Sequence, residues 1–303
     1  MPQIINIVLT IIAPIIVVAG LGGLLDRAKA FEARNLSRVT IYVASPALAF
    51  YGMANATIRS DELLGLVASG LLTASISAII GWVISRVFKM PRLTASAFVL
   101  SVCMINIGNY GIPFNEFAFG RPGLERALVM AVTQIFFAYS VGVFLASWGR
   151  ASILKSLKNS ISVPGPYAAG LGLLVNFAHL PLPDLVMRVA YILQGAAVPL
   201  MLLLLGIQIA RVEFRGGPWP VILGASGLRL VGGPLIGVAV ATALGLEGVT
   251  WQVAVIQAAM PTAVVTTILA TEFDSDPQIT SSVVLVSTLS SVATLSVLLY
   301  LVQ

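Results

Sequence analysis

Histidine and cysteine occur once each in this 303-residue chain, and only 10% of its residues are charged. One histidine, His179, cannot build a zinc site, which takes about three or four protein ligands. One cysteine, Cys103, excludes a disulfide framework within the chain. The apolar runs offer no aspartate, so no acid–base or metal constellation assembles inside them, and an enzyme is not expected. The shortage of charge is itself a placement. Soluble domains carry about 25% charged residues, whereas this chain is 58% hydrophobic, with a mean hydropathy of +0.99.

What is present in abundance is long apolar sequence. Continuous runs exclude a β-barrel, which would show short alternating segments. The expected fold is an all-α integral membrane protein of the inner (plasma) membrane, in contact with membrane lipid. Spans of about 20 residues with short loops give about ten helices. The runs fall near 4–25, 38–55, 63–85, 95–119 and 125–148, then near 164–180, 186–210, 218–244, 250–271 and 277–302. The first is read as a retained span, because no basic region precedes it.

The net charge of +5 does not point to nucleic acid, because the basic residues stand singly across loops. They sort by side instead. Arg27, Lys29, Arg34, Arg38, Arg86, Lys89, Arg92, Arg150, Lys155, Lys158, Arg211 and Arg215 follow odd-numbered spans, 12 in all. The opposite loops hold four, Arg59, Arg121, Arg126 and Arg188. The positive-inside rule makes the richer side cytoplasmic, so both termini are expected outside.

Five spans precede a linker at 151–163 and five follow it, dividing the chain into 1–150 and 164–303. Related halves with an odd number of spans must be inverted in the membrane. Pro46 and Pro113 are 67 residues apart and Pro199 and Pro261 are 62 apart, at matching places in spans two, four, seven and nine. Matched Gly/Pro-interrupted spans in inverted halves point to a transporter site at the midplane.

Span four carries Asn106, Gly108, Asn109, Gly111 and Pro113 within eight residues. Pro113 lacks an N–H and its ring clashes with the carbonyl of Asn109. The density of breakers favours a true break over a kink. Span nine carries Gln257, Pro261 and Thr262 about halfway along. The two breaks then cross near the bilayer centre, each exposing a half-helix N-terminus suited to a carboxylate. Gln134 in span five adds a polar atom, and Thr280, Ser287, Ser291 and Thr294 share one face of span ten. Arg229 sits near the midplane of span eight, where a charge must face protein or water; it serves half-helix carbonyls or a substrate carboxylate. Glu116 is read as the one acidic residue inside the spans.

With Asn106-x-x-Asn109-Tyr110-Gly111-Ile112-Pro113, Pro199-Leu200 with Leu205-Gly206, and Ala259-Met260-Pro261-Thr262-Ala263 in this order, the chain resembles the auxin efflux carrier family end to end. The resemblance implies a dimerising scaffold of spans 1, 2, 6 and 7. It also implies a transport domain of spans 3–5 and 8–10 that moves as an elevator, with Asn109, Pro113 and Pro261 at the substrate site. Ile107 stands where plant members have proline, and the linker is short; both favour a bacterial-type carrier of mono- or dicarboxylates such as malonate or malate over auxin. The expected site is Asn106, Asn109, Tyr110, Gly111, Pro113, Gln134, Arg229, Gln257, Pro261 and Thr262. The expected partners are a small organic anion and a second copy of the chain. No cofactor is expected, and the coupling ion stays open between sodium, a proton and none. The alternatives are a sodium-coupled carrier of the bile-acid symporter type and, from another class, an ion channel.

Overall fold

The computed structural model describes residues 2–29, 32–147, 164–214 and 216–303. The expected linker lies outside the described residues, as do Arg150, Lys155, Lys158 and Arg215 from the basic-side comparison.

The chain begins with α1 (Pro2–Ile7), widens into a π-helical turn at Val8–Ile12 and continues as α2 (Ala13–Arg27). The next rod repeats the plan, with α3 (Ala33–Val39), a π turn at Thr40–Ala44 and α4 (Ser45–Ala54). Next come α5 (Ser60–Val87) and α6 (Arg92–Cys103). A π turn at Ile107–Gly111 leads into α7 (Ile112–Phe137), and another at Ala138–Gly142 into α8 (Val143–Ala146). Beyond the linker lie α9 (Pro164–Phe177), α10 (Asp184–Gln194) and α11 (Ala197–Arg211). Helix α12 (Trp219–Gly227) joins α13 (Gly233–Ala243) through a π turn at Leu228–Gly232. The last are α14 (Gly248–Ala258), α15 (Val265–Glu272) and α16 (Pro277–Val302).

Proline explains four of these π turns. Pro14, Pro46, Pro113 and Pro234 each stand two residues beyond one. A proline ring collides with the carbonyl four residues earlier. Those carbonyls, of Thr10, Tyr42, Asn109 and Leu230, all lie inside the π turns, where the wider coil moves them away.

Among the described residues, six stretches are long and apolar enough to cross a bilayer: Ile5–Arg27, Ser60–Val87, Ile107–Ala146, Asp184–Arg211, Trp219–Ala243 and Pro277–Val302. Apolar side chains cover their outer faces, with Leu9, Ile79, Leu235 and Leu301 each 60% exposed or more. That is a surface made for lipid. The 40-residue stretch would be about 60 Å long if straight, twice the hydrocarbon thickness. Gly120, at φ 63° and ψ −153°, leaves helical space and divides it, with Pro122 beginning the next turn. Predicted spans four and nine cross as pairs of half-helices, α6 with the first part of α7 and α14 with α15, so neither reads as one long helix.

Close packing between helices relies on glycine. A Cβ on Gly206 of α11 would fall 1.6 Å from the carbonyl oxygen of Ala19, and one on Gly22 of α2 2.2 Å from that of Leu203. Helices α4 and α9 pack the same way, Gly172 lying against the backbone of Phe50 and Ala54. Without a hydrophobic drive between helices in lipid, small residues that admit backbone contact hold such pairs together. Gly206→Ala is expected to force α2 and α11 apart and to destabilise by roughly 1–3 kcal/mol. Thermal unfolding in detergent measures this, and Gly20→Ala, where an added Cβ meets nothing within 4 Å, is the control.

On the side that the basic-residue comparison makes external, Glu125 is 1% exposed. It accepts from the N–H of Thr57 (2.9 Å) and from Arg121 Nε (3.1 Å), while Arg121 also donates to the carbonyl of Asn55. Arg126 beside it pairs with Glu62 at 2.6 Å and donates to Thr250. The expectation that Glu116 is the one acid within the spans is therefore corrected. Glu125 stands at the first position of predicted span five and is the more deeply buried, because the turn at Gly120 folds its end into the protein.

Candidate substrate site

The interruption of predicted span four begins where α6 ends at Cys103, and that of span nine where α14 ends at Ala258. Between the half-helices both chains run extended, and they pair. Ile105 and Thr262 form an antiparallel bridge. The Asn106 N–H donates to the carbonyl of Pro261 (2.8 Å) and the Ala263 N–H to that of Met104 (3.0 Å). Backbone groups freed at membrane depth must find partners within the protein, and here each break supplies the other's.

The helix ends next to the crossing are also satisfied. At the end of α6, the carbonyl of Leu100 accepts from the Met104 N–H, that of Ser101 from Thr262 Oγ1 (2.7 Å), and that of Val102 from Arg229 Nη1 (2.6 Å). At the end of α14, Arg229 Nη2 donates to the carbonyl of Ala258. One guanidinium thus joins the C-terminal ends of both half-helices. Its reach depends on Gly233, one turn further on, where a Cβ would lie 1.9 Å from Nη2. Arg229 is 1% exposed and makes no ion pair among the described residues. Its positive charge faces the negative ends of both half-helix dipoles.

Around this frame the structure gathers the expected residues. Asn106 is 7% exposed; its carbonyl accepts from the Gly111 N–H, and its Nδ2 has no partner. Gln257 is fully buried, with neither Oε1 nor Nε2 partnered, and its amide lies where a Cβ on Gly111 would stand. Pro113 is buried at the start of α7. Tyr110 packs edge-on against Phe114, and its hydroxyl accepts from Ser291 Oγ (3.4 Å). The Thr262 N–H donates to Ser287 Oγ (3.2 Å), so two hydroxyls on the expected face of α16 touch the two breaks. Thr280 and Thr294 bond backbone carbonyls of their own helix. Gln134 reaches the Sδ of Met104 at 3.8 Å. Asn109 points away from the bridge, its Nδ2 donating to Gln208 Oε1 of α11 (3.2 Å).

Gln208 was not among the expected residues. Its signal in the sequence is a lone amide in the apolar run from Pro199 to Ile209. Gln208 lines a cavity of about 550 Å³ on the basic-rich side, together with Arg34, Arg211, Val264 and Thr267. A second cavity of about 380 Å³, almost wholly apolar, lies between α2, α11 and α16, with Tyr110 in its wall.

A bundle of apolar helices that brings unpartnered amides and a buried cation to crossed breaks belongs to the class of membrane transport proteins. Comparison with known proteins places it within that class. The family model described as membrane transport protein matches residues 7–156 and 149–300, and the chain belongs to this family, that of the auxin efflux carriers. An uncharacterised transporter of Methanothermobacter thermautotrophicus is 29% identical over 265 residues, 87% of each chain. One of Methanocaldococcus jannaschii is 23% identical over 265 residues, 85% of each. A probable auxin efflux carrier component 5b of Oryza sativa subsp. japonica is 32% identical over 154 residues, 49% of this chain and 40% of that one.

Proposed function

We propose that this protein is a secondary transporter that carries a small carboxylate across the inner (plasma) membrane by alternating access at the crossed breaks. The observation that carries the reading is Arg229 joined to the ends of both half-helices, uncompensated by any described carboxylate and close to the unpartnered amides of Asn106 and Gln257. The two helix ends offset much of the guanidinium's charge, and the unpartnered Asn106 Nδ2 and Gln257 Nε2 groups are the donors left for an anion. The half-helices that start beyond the breaks direct free N–H groups toward the same region.

Ten spans in two inverted repeats account for the helix pairs. Exchanging spans one with six and two with seven turns the glycine-packed pair α2–α11 into α4–α9, which is also glycine-packed. These two pairs are the scaffold, through which two copies of the chain associate. The remaining spans form the transport domain, which moves as an elevator. The ion pairs of Glu125 and Arg126 on the external side, and the polar cavity on the basic-rich side, support an inward-open state with both termini outside.

The test is thermal unfolding of the detergent-purified protein with malonate, malate, acetate and indole-3-acetate, each as sodium and potassium salts. A ligand at about 100 times its Kd adds about 2.7 kcal/mol. A rise with one acid in either salt supports the reading, and a rise confined to the sodium salt identifies sodium as the coupling ion. Stabilisation by none of the acids, with stabilisation by a neutral or cationic solute, sinks it.

A further inference from the structure

We propose that the apolar cavity between α2, α11 and α16 is a binding site for one acyl chain of an anionic phospholipid, whose phosphate rests on Arg27. Such a lipid binds whichever solute the protein carries, so this site goes beyond the carboxylate reading.

The cavity owes its space to side chains that are absent. Gly22 and Gly206 seat α2 and α11 backbone to backbone, whereas a Cβ on Gly20, on the flank of that pair, would meet nothing within 4 Å. Gly20, Gly23 and Ala210 line the cavity on that flank, and Leu289 and Val292 of α16 form the facing wall. Ile16, Leu24 and Leu289, at the rim, are exposed. The volume of about 380 Å³ therefore opens on the bilayer. Water is a poor occupant, because an enclosed water needs about two to four polar partners and these walls are almost wholly apolar. An acyl chain gives up no hydrogen bond there. It gains the dispersion contacts that α2 and α16 do not make with each other.

Length and charge select the occupant. Helix α2 lines the cavity from Ile15 to Arg27, about 18 Å at the helical rise. The hydrocarbon of one leaflet is about 15 Å deep. At the inner end stands Tyr110, beside the crossed breaks, and at the outer end Arg27, in the last turn of α2 on the basic-rich side. The groove thus runs the depth of one leaflet, as an acyl chain does. Arg27 is exposed and makes no ion pair among the described residues; the neighbouring Asp26 is taken by Arg211 at 2.6 Å. No acidic residue is among those that line the cavity. A guanidinium matches two phosphate oxygens at once, and a basic residue at the membrane surface favours lipids of net negative charge. The chain touches the scaffold pair on one side and α16 on the other, so loading the groove braces the two bodies in the state observed.

The experiment titrates the delipidated full chain in detergent with dioleoyl phosphatidylglycerol or dioleoyl phosphatidylcholine. Thermal unfolding follows stabilisation, and native mass spectrometry counts the lipids retained. Wild type is expected to keep one phosphatidylglycerol per chain and to be stabilised at a concentration about five-fold below that for phosphatidylcholine. Arg27→Gln is expected to abolish that preference while still binding both lipids. Gly20→Phe, which fills the groove from a position with open space, is expected to lose the retained lipid. A lipid-free melting temperature close to wild type shows that each variant folds. Retention by Gly20→Phe equal to wild type, or a wild type that does not distinguish the two lipids, would overturn the assignment. So would displacement of the lipid by indole-3-acetate or another of the acids, which would give the groove to the solute instead. Failure of every acid to stabilise the protein would leave this site standing and remove only the carboxylate reading.

Discussion

Arg229→Met is expected to lower the stability of the protein by roughly 1–3 kcal/mol, the scale for leaving buried hydrogen-bond acceptors unpaired. Two effects compete. Removing the guanidinium relieves the cost of holding a charge at the midplane, roughly 2.5–3.5 kcal/mol on insertion scales. It also leaves the carbonyls of Val102 and Ala258 unpaired at buried helix ends, at roughly 1–3 kcal/mol each. It removes, too, a side chain that bridges α6 and α14, so the half-helices lose a common anchor. The loss wins because the carbonyls belong to the backbone and cannot be removed with the arginine. Arg229→Lys is expected to fall between, since a single ammonium cannot span both carbonyls in the geometry of the planar fork. Thermal unfolding in detergent measures both variants. A methionine variant as stable as wild type would show that the crossing does not need its bridge.

Asn109→Ala is expected to act on binding while leaving the fold in place. Asn109 is partly exposed, and its one side-chain bond, to Gln208, is worth about 1 kcal/mol to stability. A concentration of carboxylate that adds about 2.7 kcal/mol to the wild type should add little to this variant. Full stabilisation of the variant would remove Asn109 from the site.

Much of this architecture is legible in the sequence because proline and glycine carry unambiguous backbone consequences. Asn106 to Pro113 and Gln257 to Thr262 could be marked as breaks from residue types alone, and the helices of the structure are interrupted at 104–106 and 259–264. That the breaks would supply each other's hydrogen bonds was not legible, since strand-like pairing within a helical bundle has no signature in hydropathy. Sequence position alone allows Arg229 two roles, and the structure shows its guanidinium on the carbonyls of both half-helices. Gln208 escaped notice because its meaning lies in a neighbour 99 residues away. Glu125 is legible as an acid at the first position of predicted span five, whereas its burial depends on the turn at Gly120, which apolar runs do not reveal.

The central claim is that an anion moves through the crossed breaks. The most direct measurement is the transient current from proteoliposomes on a solid support when a carboxylate is added. Malonate, malate, acetate and indole-3-acetate are tested against neutral and cationic solutes of similar size. The account predicts a transient current for at least one carboxylate in sodium or potassium buffer, none for the other solutes, and none with Asn109→Ala. A current driven by a cation or accompanying a neutral solute, or an undiminished carboxylate current in the Asn109→Ala protein, would contradict it.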